Sequence, residues 1–190
     1  MKVHSAHFTW DSLLHPEKKG MRPFAEVLET ARAHELTDLV VPYLHNEDRM
    51  DLEGYQKTSD KLNEGAREAA AAGIRLAYHN HAFEFKPMSY GKTGFDVFVE
   101  SFSPQMFFEV DVFWVKLGGV DPIAQLAKLE NRVSQVHLKD LRKGTTCPNF
   151  EKVQPEAFDE IGDGMIPMVP IIEAAHKYLS LIHISEPTRR

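Results

Sequence analysis

Short β-branched or aromatic runs alternate along the chain with longer stretches in which apolar residues recur at helical spacing. This alternation is the signature of repeated βα units around a parallel sheet. Strand candidates are Lys2 to Phe8, Asp38 to Tyr43, Ile74 to His81, Met106 to Val115, Val133 to Asp140 and, more weakly, Phe158 to Ile161. Between them the pattern predicts helices over Arg22 to Leu36, with Phe24, Val27, Leu28 and Ala31 on one face, and over Leu52 to Ala72, Thr93 to Phe102, Asp121 to Leu129 and Pro167 to Tyr178. Local chemistry supports two of the boundaries. Gly73 supplies a left-handed cap after the long helix, and Asp121-Pro122 supplies an N-cap followed by an N1 proline. Thr145 to Pro155, around Cys147-Pro148-Asn149, reads as an irregular surface loop. No second domain and no repeat beyond the βα alternation is visible.

Composition narrows the functional classes. The 190 residues are 43% hydrophobic and 26% charged, with a net charge of −6 and a pI near 5.9. That balance sets aside disordered, collagen-like and disulfide-stapled chains. The acidic sum, with no Lys/Arg block, opposes a phosphate backbone and argues against a nucleic-acid partner. A single cysteine, Cys147, excludes an internal disulfide, and no apolar run approaches the roughly 18 residues of a membrane span. The start, Met1-Lys2-Val3-His4, lacks the apolar stretch of a signal peptide. A cytoplasmic enzyme or binding protein for a small molecule, away from membranes, is the expectation.

Metal-capable and polar side chains gather at the C-terminal ends of the strand candidates, where parallel α/β folds place their sites. In Tyr78-His79-Asn80-His81-Ala82-Phe83-Glu84, period-2 alternation puts Ala77, His79 and His81 on one face. Each histidine could equally be a hydrogen-bonded core residue. In Glu109-Val110-Asp111-Val112-Phe113-Trp114 the aspartate is costly to bury without a partner. That partner is either a divalent cation or, in the plainer alternative, backbone amides or Lys139. His137 and Lys139 share a face in Val136-His137-Leu138-Lys139-Asp140, a neutral imidazole ligand beside a cation able to hold an oxyanion or hydroxyl. A His/Asp/carboxylate set suits Mn²⁺, Co²⁺, Zn²⁺, Fe²⁺ or Mg²⁺. His7, His81, Trp114 and Lys139 are candidate substrate contacts, with Trp114 equally a packing residue. Gly162-Asp163-Gly164 offers either close backbone approach to a ligand or a plain turn.

The series LAYHNHAFEF, FFEVDVFWVKLGGVDP, VHLKD and EIGDGMIPMVPII, in this order, resembles the sugar phosphate isomerase/epimerase family with the xylose-isomerase-like TIM barrel. The resemblance runs from about Lys2 to Tyr178. It implies a divalent metal at the C-terminal mouth, held by Asp111, by His137 and by a third ligand that is His79, His81 or Glu84. It also implies isomerisation or epimerisation of a sugar, sugar phosphate or polyol ketone by proton transfer next to a carbonyl, with Glu84 and Lys139 as catalytic candidates. A dehydratase using the same site, or a sugar-binding protein on the same barrel, are the alternative readings. The family's final-strand glutamate has no counterpart here, because nothing after Tyr178 resembles that strand.

A closed barrel has eight strands and typically about 250 residues. Six parallel strands are expected here, so the sequence predicts an incomplete (β/α)8 barrel over residues 1–178, lacking its first and last strands and inactive on its own. Leu179 to Arg190 resembles translated library-adaptor sequence and is expected to be non-native.

Overall fold

The computed structural model describes residues 3–178. Its elements follow the alternation of the sequence: β1 (Ser5–His7), α1 (Asp11–Leu14), α2 (Phe24–Ala33), β2 (Asp38–Val41), α3 (Leu52–Ala71), β3 (Arg75–His79), α4 (Gly94–Ser101), β4 (Met106–Asp111), α5 (Val112–Leu117), α6 (Pro122–Leu129), β5 (Val133–His137), β6 (Asp140–Leu141), β7 (Phe158–Asp159) and α7 (Met168–Tyr178). Five strands form the main sheet in the order β1-β2-β3-β4-β5, an open portion of an α/β barrel. Among the described residues no helix is long and apolar enough to cross a membrane. The chain separates into two compact units, one reaching to His79 and including Met88–Phe107, the other including Asn80–Pro87 and continuing from Phe108.

In the first unit β1, β2 and β3 pair in parallel, with Ser5 opposite Asp38 and Asp38 opposite Arg75. Buried Asp38 is answered by the Arg75 guanidinium at 2.9 Å and by the Thr37 hydroxyl at 2.7 Å. The predicted long helix is α3, where Asp51 caps the start by accepting from Gly54 N at 2.8 Å and Gly73, at φ +77°, turns the chain into β3. Tyr55, Leu62, Ala66 and Ala69 recur at helical spacing and are fully buried. A reciprocal Thr93/Asp96 capping box starts α4, and Phe98 meets the rings of Tyr55 and Tyr78 edge to face, with centroids 5.2 Å and 4.8 Å away. Gly94 sits against the Tyr55 ring so closely that a Cβ there would overlap it. Gly94→Ala is therefore expected to cost about 2–3 kcal/mol through overpacking, read as a lowered midpoint in chemical denaturation, while Gly91→Ala tests the left-handed backbone alone, because nothing crowds a Cβ there. Val27 is only half-buried, for it lines a cavity of about 320 Å³ beside β1 together with Ala6, Phe8, Ala31 and Leu39.

In the second unit β4 and β5 pair in parallel, Val110 opposite Val136 and Asp111 opposite His137. Phe113, Leu117, Leu126, Leu138 and Ile171 form its interior. Three sequence expectations change here. The run Met106 to Val115 is a strand only to Asp111, because that carboxylate caps a helix over the rest. The run Val133 to Asp140 stops at His137, and Asp140–Leu141 form a separate strand. The expected sixth parallel strand does not form at Phe158 to Ile161: Phe158–Asp159 pair antiparallel with Asp140–Leu141 in a two-stranded ribbon. Among the described residues five parallel strands stand where six were expected. The segment 179–190, expected to be non-native, lies outside the described residues.

Candidate functional site

Asp111 is the last residue of β4 and is fully buried. Its two oxygens do different work. Oδ1 accepts from Phe113 N at 3.0 Å and Trp114 N at 3.2 Å, satisfying two of the orphan donors that begin α5. Oδ2 accepts from Lys139 Nζ at 2.9 Å and lies 3.4 Å from His137 Nδ1. Asn80 fixes the backbone behind it, its Oδ1 accepting from Asp111 N at 3.0 Å and its Nδ2 donating to Asp111 O at 3.3 Å. A buried carboxylate needs such compensation, since an unpaired one would cost several kcal/mol. The amide and Lys139 partners of the plainer sequence reading are thus both present. Lys139 and His137 are 18% and 16% exposed at their side chains, whereas the Asp111 carboxylate beside them is fully buried.

The remaining predicted residues fall into two neighbourhoods. In the second unit the His81 ring stacks on Phe83 with centroids 5.4 Å apart and lies 5.0 Å from the Trp114 ring. Buried Glu84, in a short 3₁₀ turn over Phe83–Phe85, accepts from His81 N through Oε2 at 2.8 Å. In the first unit His79 ends β3, buried, with its ring 5.5 Å from that of His7 at the end of β1. β3 stops at His79, so the period-2 argument does not extend to His81, and the two histidines have different surroundings.

Gly162-Asp163-Gly164 is a turn folded around Asp140. The Asp140 carboxylate accepts from Gly162 N at 2.9 Å, Gly164 N at 3.0 Å, Ile166 N at 3.0 Å and Leu141 N at 2.8 Å. The close backbone approach read from the sequence is therefore made to a side chain of the chain itself. Burial pushes the Cys147 thiol up, against a smaller lowering effect of Lys116, so at neutral pH it is a poor nucleophile.

A metal-capable imidazole and a carboxylate converge at the C-terminal ends of parallel strands, and a family profile described as xylose isomerase-like TIM barrel matches residues 3–182. The chain belongs to the xylose isomerase-like TIM barrel family. It is 30% identical over 136 residues to an inosose dehydratase from Clostridium beijerinckii, a match covering 64% of this chain and 42% of that protein. A sugar phosphate isomerase/epimerase from Parabacteroides distasonis superposes with a TM-score of 0.72 at 24% identity over 100% of this chain and 65% of that one. The zinc-bound IOLI protein superposes with a TM-score of 0.66 at 17% identity over 86% of this chain and 58% of that one. The chain thus spans less than half the length of the curated relative and about two thirds of the solved barrels. Such structural likeness carries the barrel fold.

Within this xylose isomerase-like barrel, sequence reasoning overlooked Asn80, Asp140, and a pairing of His45 with Asp11 at 2.9 Å. Asn80 lay in view between two histidines, on the strand face opposite to them. Asp140 ended the VHLKD motif, and a Gly-x-Gly turn some twenty residues later was the available sign that its carboxylate gathers amides. Nothing local links His45 to Asp11.

Proposed function

We propose that the complete protein is a metal-dependent sugar isomerase or epimerase, with a divalent cation held by Asp111, His137 and His79. The observation that carries this reading is the convergence of His137 Nδ1 on Asp111 Oδ2 at 3.4 Å at the ends of adjacent strands. His79, at the end of β3, is the third member of the one metal-capable group found among the described residues. The donor set fits: a carboxylate oxygen and imidazole nitrogens suit Zn²⁺, Mn²⁺ or Co²⁺, and Asp111 keeps Oδ2 turned toward positive charge while Oδ1 is committed to the α5 cap. Zinc in the IOLI protein supports the same assignment.

Such a cation, when bound, supplies Lewis-acid polarisation of a substrate carbonyl and its neighbouring hydroxyl. The chain's own residues do the rest. Lys139, which donates to Asp111 Oδ2 at 2.9 Å, would hold a substrate hydroxyl or oxyanion where a cation occupied that oxygen. Glu84 is the candidate base, held by the His81 amide, and His81 with Trp114 presents a ring surface for the sugar. His7 joins His79 at the same end of its own unit as a further substrate contact. The inosose dehydratase relative favours a second reading, in which the same proton abstraction is followed by loss of a β-hydroxyl.

The test is solvent-deuterium incorporation next to the carbonyl of ketoses and ketonic cyclitols with added Mn²⁺. The complete gene product is expected to exchange and the 190-residue chain alone to be silent. Metal-dependent exchange by the short chain, lost in Asp111→Asn, overturns the inactivity of the fragment. Water loss in place of exchange selects the dehydratase. Tight sugar binding with neither reaction selects a non-catalytic binding protein.

A further inference from the structure

The first unit carries an aromatic group that the proposed chemistry leaves unused. Trp10 follows β1 at the N-cap position of α1, and Tyr43 and His45 follow β2, so all three lie beyond the C-terminal ends of parallel strands, as His7 and His79 do. Trp10 is half-buried, with its ring 5.8 Å from Tyr43 and 5.2 Å from His45. The imidazole is fixed: His45 Nε2 meets Asp11 Oδ1 at 2.9 Å and Oδ2 at 3.1 Å, and Asp11 is in turn bound by Lys18 at 3.4 Å. The Arg49 guanidinium lies over the Tyr43 ring at 5.8 Å, which stiffens the far side of the wall. Buried Trp10 Nε1 meets no protein acceptor among the described residues, an arrangement that costs free energy unless another group supplies an oxygen.

A hydrophobic plug would account for the ring contacts. It does not account for a tryptophan donor without an acceptor next to a histidine anchored by a carboxylate and still 34% exposed. Flat aromatic surface edged by oriented hydrogen-bonding groups suits a molecule with an apolar C–H face and a rim of hydroxyls. Such a face is displayed by a closed polyol ring and is poorly presented by an open chain.

We infer that Trp10, with Tyr43 and His45, forms a specificity wall that selects cyclic polyols or closed-ring sugars over open-chain ones. Trp10 supplies the stacking surface, and His45, oriented by Asp11, hydrogen-bonds a ring hydroxyl. The inference rests on the proposed sugar chemistry for its substrate class and on separate residues for its geometry.

The chain has two tryptophans, so Trp10 emission is taken as the difference between the unsubstituted chain and Trp10→Phe. In this difference myo-inositol is expected to produce a saturable change and sorbitol one on the order of tenfold weaker, the worth of one favourable contact. Independently of emission, saturation-transfer NMR of the two polyols is read on the unlabelled chain, on Trp10→Leu and on Trp10→Phe, each checked for folding by circular dichroism. Leucine is expected to abolish the ring preference and phenylalanine to retain it. His45→Gln is expected to weaken myo-inositol binding without changing sorbitol binding. Mn²⁺ binding is measured on the same samples by water-proton relaxation. Bound Mn²⁺ with a silent Trp10, or equal response to both polyols, overturns the wall and leaves the metal reading standing. A selective Trp10 response without Mn²⁺ binding supports the wall and removes the metal reading. Absence of both removes the two together.

Discussion

Asp140→Ala is expected to lower the melting midpoint by roughly 8–16 °C, on the basis of about 4 kcal/mol of lost stability in a chain of this size. The carboxylate is fully buried and each of its oxygens serves two amides: Oδ1 those of Leu141 and Ile166, Oδ2 those of Gly162 and Gly164. Alanine leaves four backbone donors without their acceptor, and those of Leu141 and Ile166 are buried. Gly164 has no room for a side chain because a Cβ there would collide with the same carboxylate. The informative comparison is Asp140→Asn. An amide in either orientation turns its NH₂ toward two N–H groups, so asparagine is expected to destabilise nearly as much as alanine, against the usual ranking for an isosteric change. Near-isosteric recovery by asparagine, measured by thermal melting followed in near-ultraviolet circular dichroism, would show that the negative charge and its four bonds are not what holds the 162–166 turn onto the β6–β7 ribbon.

Much of the fold was legible because its signals are local. The helix expected over Leu52 to Ala72 is observed as Leu52–Ala71, since amphipathic spacing, an Asp N-cap and a left-handed Gly73 agree with one another. Asp121-Pro122 opened its helix as expected, with Asp121 Oδ1 taking up the amides of Ile123 and Ala124. The errors come from apolar runs that cross an element boundary. Val112 to Val115 are β-branched or aromatic, and a helix of six residues is too short to display a period. Only Asp111 marked the change, and it was read as a metal ligand when it is also a helix cap. Phe158 to Ile161 was taken as a parallel strand because pattern alone does not reveal the partner of a strand. The pairing of Asp111 with His137 and Lys139 was visible, for Asp111 and His137 end adjacent strands whose register the βα alternation sets and Lys139 follows His137 by two residues. The His45–Asp11 pair, separated by 34 positions, required the fold itself.

Asp111→Asn is expected to weaken binding of Mn²⁺ or Zn²⁺ by more than about 100-fold, since outer partners of a metal site are already worth 10–100-fold. The fold should survive, because the retained Oδ1 can still cap α5 through Phe113 N and Trp114 N, whereas Asp111→Ala loses that cap and confounds metal loss with unfolding. The substituted nitrogen then faces the Lys139 ammonium and lies beside His137, and a cation finds no oxygen there. Lys139→Met should act in the opposite direction. In the absence of metal its ammonium, 2.9 Å from Oδ2, is the group that neutralises the buried carboxylate, so a divalent cation has to displace it. Methionine keeps the aliphatic stem and removes the competitor, which is expected to raise metal affinity on the order of tenfold while lowering stability without metal, where the carboxylate is left unpaired. Calorimetric titration of the two single variants and of the double variant closes the cycle. If Lys139 competes with the cation for one oxygen, Lys139→Met gains nothing in the Asp111→Asn background. A Lys139→Met variant that binds metal more weakly, or an Asp111→Asn variant that binds as well as the parent, would reduce Asp111 to a helix cap closed by a buried ion pair.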